Sequence, residues 1–413
     1  MIEPRAEGGT APEAGGGYRA LLQVSGFPRA VAGAAVQRTG GQMLQVAIVL
    51  FVLARFHSPA LAGLTVFLQI MPGLLVSPLA GALLDRYGRV RLMLLDFTVA
   101  AVTLALIAGL SLSGQLAVGA LLVLVTISSL TSILSITGIR SLFPLMVPRA
   151  LWDRANGLDS GLYAVTAIVG PPLAAFIVAL YGPEAALLVA AVAFALAAAV
   201  MVGLKEPAEP DRERGSIWRE SYEGLRYVVG HPTLRGLAVS ISLSNIGANG
   251  ALVIAVPVLL LNRLHSGTVT IGWVFGVFGV ASLVSALVFG RMNTEGRERS
   301  MLAWSMVAVA IALLALAAAG ALWMVLAAAV FAGLFMGASD VGLFSIRQRR
   351  TDPAWFGRAF AVSMSLNYMG MPIGSAVTGA LIQRSISLAF LAGAAFNLLA
   401  ALTTVLMIPA SAG

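Results

Sequence analysis

Of the chain's 413 residues, 59% are hydrophobic and only 11% charged, with a mean hydropathy of +0.92, which excludes a soluble globular domain and leaves a polytopic membrane protein. The net charge of +8 speaks for membrane orientation rather than nucleic acid, because the basic residues fall between apolar segments of spanning length. The absence of cysteine removes disulfides and thiolate metal sites.

Residues 1–17, glycine-rich and carrying Glu3, Arg5, Glu7 and Glu13, lack the apolar stretch of a signal peptide and read as a disordered tail. Apolar segments then recur near 30–55, 60–84, 92–113, 115–139, 155–181 and 184–204, filling a first half over 18–204. Residues 205–235 break the pattern with Lys205, Glu206, Pro207, Glu209, Pro210, Asp211, Arg212, Glu213 and Arg214. The later part of this linker, from Ile217 to Val229, sets apolar residues at helical spacing beside charged ones, as an interfacial helix lying on the membrane surface would. Six further segments, near 236–262, 268–290, 300–318, 321–346, 359–383 and 386–409, fill a second half over 236–413. The expectation is an all-α membrane protein with twelve spanning helices in two six-helix halves. An even number of crossings puts both termini on one side. Of the 26 basic residues, all but Arg55, Arg263, Arg384 and the intramembrane Arg38 fall in loops on that side, which the positive-inside rule makes cytoplasmic.

Between the second and third segments stands Gly81-Ala-Leu-Leu-Asp85-Arg86-Tyr-Gly88-Arg89-Val-Arg91. It resembles the signature loop between helices two and three of the major facilitator superfamily. After the eighth segment Phe289-Gly290-Arg291 through Gly296-Arg297 sits in the corresponding place, a degenerate copy with no aspartate at the position of Asp85. The resemblance extends along the chain to the branch holding bacterial macrolide, multidrug and siderophore exporters. It is carried by Arg140 to Pro148 followed by Ala155-Asn156-Gly157, by Tyr222 to Pro232 in the linker, and by Gln348, Gly357-Arg358 and Pro372-Ile-Gly374. In the fifth segment Gly161, Gly170, Pro171 and Pro172 resemble the motif associated with antiporters, with Ala174-Ala175 replacing its closing glycine pair.

The resemblance implies two halves related by an axis along the membrane normal, alternating access, and a substrate site between them near the midplane. It implies a gate in which Gly81, Asp85, Arg86, Gly88 and Arg89 work with the start of helix eleven, where this chain offers Arg358. It further implies a monomeric secondary transporter of the bacterial inner membrane, with a small-molecule substrate and protons as partners. No nucleic acid, cofactor or enzyme activity is expected, and no P-loop signature occurs in the chain.

Charged and polar residues within spanning helices are functional candidates by default. Arg38, Gln42 and Gln45 share one face of the first helix at spacings of four and three. Related exporters often carry an acid where this chain has Gln42. Asp340 is therefore the candidate proton-coupling residue, about 10 Å in from Arg347 at the helical rise, with Arg38 about 13 Å in from Arg29. The two could pair across the cavity, or Arg38 could meet an anionic substrate. Asn245, Asn249, Asn367 and Tyr368 supply neutral hydrogen-bonding groups, either as substrate contacts or as interhelical links. Asp96 and Asp159 are assigned to loop and gate structure. His57, His231 and His265 lack ligand spacing, so no metal site is expected. The expected function is export of a small, largely apolar, drug-like compound by proton antiport. The alternatives are a dedicated exporter of an anionic metabolite such as a siderophore, a lysolipid flippase, and a transport-inactive membrane sensor or scaffold.

Overall fold

The computed structural model describes residues 18–206, 217–352 and 355–410. The disordered-tail reading of residues 1–17 and the charged run from Pro207 to Arg214 lie outside the described residues. The six helices of the first half are α1 (Phe27–Phe56), α2 (Pro59–Tyr87), α3 (Arg89–Leu112), α4 (Val118–Met146), α5 (Trp152–Tyr181) and α6 (Pro183–Met201). After a linker helix, Ile217–Gly230, come α7 (Pro232–Arg263), α8 (Thr268–Phe289), α9 (Glu298–Ala317), α10 (Leu322–Arg350), α11 (Phe356–Ile382) and α12 (Ile386–Met407). Eleven of these are long and apolar enough to cross a membrane. The remaining one, α11, has 27 residues, and its Ser363, Asn367, Ser375 and Thr378 are buried against other helices rather than exposed to lipid.

Local chemistry sets the helix ends. Ser58 caps α2 by accepting from the Leu61 amide at 3.2 Å, with Pro59 at the first helical position. Only Gly88, at φ +89°, separates α2 from α3, and a side chain there would be strained. Several arginines close helix C-termini: Arg29 donates to the Val200 and Val202 carbonyls, Arg263 to Ala317 at 3.0 Å, and Arg350 to Pro409 at 2.8 Å. Residues that orient the chain therefore also satisfy orphan carbonyls.

Both halves use one packing scheme. In the first, α1 packs on α5 and α6, α2 on α4, and α3 on α4 and α6; in the second, α7 packs on α11 and α12, α8 on α10, and α9 on α10 and α12. The halves meet through α2 on α11 and α5 on α8, a reciprocal pair. These contacts lie toward the face opposite the linker, the distal face, and depend on small residues. A β-carbon at Gly63 would stand 2.4 Å from the Ser375 carbonyl oxygen, and one at Gly379 would stand 2.5 Å from that of Pro59. On the other pair, a β-carbon at Gly272 would stand 3.2 Å from the Pro172 carbonyl oxygen. Such backbone approach replaces the hydrophobic effect as the source of helix association in lipid. Toward the linker face, Gly81 and Gly161 have no neighbouring atom within 4 Å of where a β-carbon would stand. The halves are thus sealed on the distal face and part toward the linker face.

Three expectations change. Helix α4 runs on to Met146 through Pro144, so Arg140 lies within a helix and not in a loop. Helix α10 runs on to Arg350, and Arg347 is 1% exposed, held between Phe344 and Phe360 rather than at the membrane edge. The linker helix does not simply lie on the surface. Its Val228 is fully buried against Leu234, Leu237 and Ile346, and Tyr227 stacks on Trp355 at 4.9 Å, while Tyr222, Leu225 and Val229 stay exposed.

Candidate functional site

Polar and apolar cavities adjoin at mid-depth. The first-half cavity, about 220 Å³, is lined by Gln37, Gly41 and Gln45 of α1, Gln69 of α2, Asp96 of α3, the hydroxyl run of α4 and Phe194 of α6, with Asn249, Val253 and Met371 from the second half. The second-half cavity, about 100 Å³, is lined almost wholly by apolar side chains, among them Leu252, Val256, Phe278, Leu313, Met336 and Met371, with Asn245 and Asn249 as its polar groups. Asn249 and Met371 border both. Helix α7, which separates the cavities, is loosened there: π-turns at Ala251–Ala255 and Leu259–Arg263 flank Pro257, which has no amide to donate and clashes with the preceding turn.

The polar stripe on α1 divides. Gln45 lines the first-half cavity, whereas Arg38 and Gln42 face α5. A β-carbon on Gly170 would stand 2.5 Å from that of Gln42, which gives Gly170 of the antiporter-like motif a packing reason to be glycine. Pro171 and Pro172 follow on the same helix, and Pro172 meets Gly272 of α8. Gly161 has open space around it. Arg38 does not pair with Asp340. It forms an ion pair with Asp159 at 2.7 Å, donates to the Asp159 carbonyl at 2.8 Å, and has the Tyr163 ring 5.9 Å away. Asp159 lies on the directly packed α5, whereas Asp340 lies across the gap between the halves, so the nearer carboxylate takes the cation.

Asp340 is exposed rather than packed away, on the side of α10 whose charge reaches Tyr368 of α11. Tyr368 stands close enough to Tyr163 of α5, to Arg140 and to Asp340 to feel all three electrostatically. The Tyr163–Tyr368 approach is thus a polar link across the halves, with Arg38 and Asp159 behind it on one side and Asp340 on the other. Asn367, expected as a substrate contact, is 3% exposed and turned away from both cavities. With its amide in the orientation that satisfies its neighbours, it accepts from Arg347 at 2.7 Å and donates to the Ser363 carbonyl at 3.1 Å. Asn245 donates to the Asn367 carbonyl at 2.9 Å, linking α7 to α11 while still bordering the apolar cavity.

At the linker face, Asp85 pairs with Arg89 at 2.6 Å. Glu206 pairs with Arg89 at 3.1 Å and accepts the Arg89 and Val90 backbone amides at 2.7 and 3.3 Å, a carboxylate placed on the N-terminus of α3. Arg89 also donates to Ser141 of α4 at 3.2 Å. The loop is therefore tied to the end of its own half. Arg86 lies over the Tyr87 ring at 5.5 Å. The Arg358 side chain lies outside the described residues. In the second half the degenerate loop keeps an ionic clasp of opposite sense, because Glu298 at the start of α9 pairs with Arg349 of α10.

Sequence reasoning gave no site role to Gln37, Gln69, Arg140, Tyr163, Glu206 or the hydroxyl run of α4, and it assigned Asp96 to loop and gate structure rather than to a cavity wall. A signal existed for the hydroxyl run, since the α4 sequence from Thr126 to Thr137 holds seven hydroxyl residues.

The family model of the Major Facilitator Superfamily matches residues 30–247 and 237–412. The chain is 37% identical to the MFS-type transporter y4rN of Sinorhizobium fredii, over 95% of this chain and 97% of that protein. It is 25% identical to the multidrug efflux pump Tap of Mycolicibacterium fortuitum, over 78% and 80% respectively. Its fold matches that of the nucleoside transporter NupG with a TM-score of 0.76 at 11% identity, over 92% of this chain and 99% of that one.

Proposed function

Because the chain belongs to the major facilitator superfamily, we propose that it exports a small, largely apolar organic compound from the bacterial cytoplasm in exchange for protons. It is a multi-pass membrane transporter and not an enzyme. The observation that carries the substrate class is the second-half cavity, whose methionine, leucine and phenylalanine walls suit apolar molecules of varied shape and whose two asparagines offer orientation. The name of the relative Tap supports the same class. In this reading the linker face is cytoplasmic, from the arginine asymmetry, and substrate enters there while the distal contacts hold.

Asp340 carries the proton in this reading, and the Tyr163–Tyr368 link couples its charge state to the approach of the halves. Asp85, Arg86, Arg89 and Glu206 govern the linker-face ends, with Arg358 as the partner from α11. A second reading, export of an organic anion, is favoured by Arg140, an exposed guanidinium within α4 for which no carboxylate lies in ion-pair range among the described residues.

The test uses inverted membrane vesicles energised to an acidic lumen and fluorescent apolar amines of drug size. Asp340→Asn should abolish gradient-driven accumulation and retain exchange without a gradient, since asparagine keeps the shape and loses the titration. Undiminished gradient-driven accumulation refutes the role of Asp340. Failure to accumulate any apolar amine, together with uptake of organic anions that Arg140→Gln removes, selects the second reading.

A further inference from the structure

Asp96 is 2% exposed on the wall of the first-half cavity. It stands seven residues into α3 from Arg89, about 10 Å at the helical rise. Its two carboxyl oxygens are each met by a hydroxyl of α4: Thr131 donates to one at 2.7 Å, and Ser135 donates to the other. No cation lies in ion-pair range of it among the described residues. Among the described residues, no second titratable group lines the cavity. Helix α1 offers Gln37 and Gln45, α2 Gln69, α4 its serines, α6 Phe194, α7 Asn249 and α11 Met371. The nearest charges along α3, Arg89 and its partners Asp85 and Glu206, are engaged with one another at the helix start. An unpaired ionised carboxylate buried at membrane depth costs several kcal/mol. A structural role would be served equally by asparagine, which needs no charge.

We propose that Asp96 is a second proton-binding site, exchanging its proton with water of the first-half cavity, so that each half of the transporter carries one titrating carboxyl. The step is a simple exchange: the carboxyl O–H bond breaks, the proton passes to cavity water, and the Thr131 and Ser135 hydroxyls hold the resulting anion with the two hydrogen bonds they already make. Rebinding reverses it. The hydroxyls can swing back to the Ser128 and Ser132 carbonyls, which lie 3.1 Å from their oxygens, so neither protonation state leaves them unsatisfied. This inference rests on the proton-coupled reading above and adds the site through which the first half would take part.

Dicyclohexylcarbodiimide, an apolar reagent that enters membrane cavities, tests it on the unaltered protein. The reagent consumes a protonated carboxyl: the proton moves to a carbodiimide nitrogen as the carboxyl oxygen bonds to the central carbon. Purified protein is treated at graded pH and adducts are mapped by peptide mass spectrometry, with Asp96→Asn identifying the Asp96 peptide. The expected result is an Asp96 adduct whose yield falls at least about fivefold between about pH 5 and about pH 9, and which persists in Asp340→Asn protein. No adduct on Asp96, or a yield flat across that range, overturns the proposal. Protection by sodium chloride but not by potassium chloride at constant pH also overturns it, making Asp96 a sodium site. Titrating adduct formation together with absence of gradient-driven transport by the unaltered protein would uphold the site while removing the coupling reading on which its role in transport rests.

Discussion

The pairing of Arg38 with Asp159 can be weighed directly. The two side chains are 10% and 17% exposed, 2.7 Å apart, with a second bond at 2.8 Å to the Asp159 carbonyl. Removing one partner of a buried pair typically costs about 3–5 kcal/mol, because the other charge stays buried; the residual exposure places Arg38→Gln near the lower end, about 3 kcal/mol. Asp159→Asn should cost less, about 1–2 kcal/mol, since Arg38 keeps the backbone carbonyl and the Tyr163 ring. The double variant should lose less than the two single variants combined, giving a coupling energy of about 2 kcal/mol. Reversible unfolding of the purified protein in mixed micelles reads all four corners, and a parallel cycle of Arg38→Gln with Asp340→Asn should be additive. Additivity within about 0.5 kcal/mol for Arg38 and Asp159, or coupling in the Asp340 cycle instead, would refute the assignment.

Gly63→Leu should hold the distal face open, since even a β-carbon there meets the Ser375 carbonyl; labelling of Val66→Cys in the cavity wall by an impermeant thiol reagent on intact cells should rise several-fold, and unchanged labelling would refute the distal seal. Ser266→Cys, in the turn before α8, should be labelled on intact cells and Asn293→Cys, between α8 and α9, should be spared; the reverse pattern inverts the orientation. His231, at the junction of the linker helix and α7, is held below the ordinary histidine value by burial and then by the Arg350 charge. Protons therefore bind the undocked junction first, and docking of the linker helix should weaken as pH falls through about 6.5. Protease sensitivity at the linker reads this, and His231→Gln should flatten the dependence.

Apolar run length is a local property, so all twelve long helices are plain in the sequence, and the recurrence of the loop after the second and eighth segments indicates two related halves. Helix ends are less legible where linker-face arginines are themselves helical. Arg140 and Arg350 look like loop residues because charge normally ends an apolar run, yet the structure extends α4 past Arg140 and α10 as far as Arg350. Side-chain partners are harder still. Arg38 has two carboxylates within plausible depth, and periodicity on α1 cannot say that α5 packs directly while α10 lies across the gap. The same limit misplaced Asp96, read as gate structure although the register between α3 and α4 sets it in the cavity wall, and Asn367, whose intramembrane position suggested substrate but whose contacts serve Arg347.

The two faces of the molecule are closed by different physics, and this bears on how protons act. Distal contacts between the halves are backbone approaches at Gly63, Gly379, Gly272 and Pro172, which carry no titratable group and should respond weakly to pH or salt. Linker-face ends are ordered by ionic groups, Asp85 with Arg89 and Glu206 in one half and Glu298 with Arg349 in the other, all confined within their own halves in this arrangement. In the proposed alternating-access cycle, closing that face would bring some of these charges, with Asp340 and Arg140 near Tyr368, to partners across the gap. In the proposed reading, a proton taken up at Asp340 would alter the attraction between halves on that face alone and leave the distal seal untouched. Protonation can therefore bias one gate without directly opposing the other.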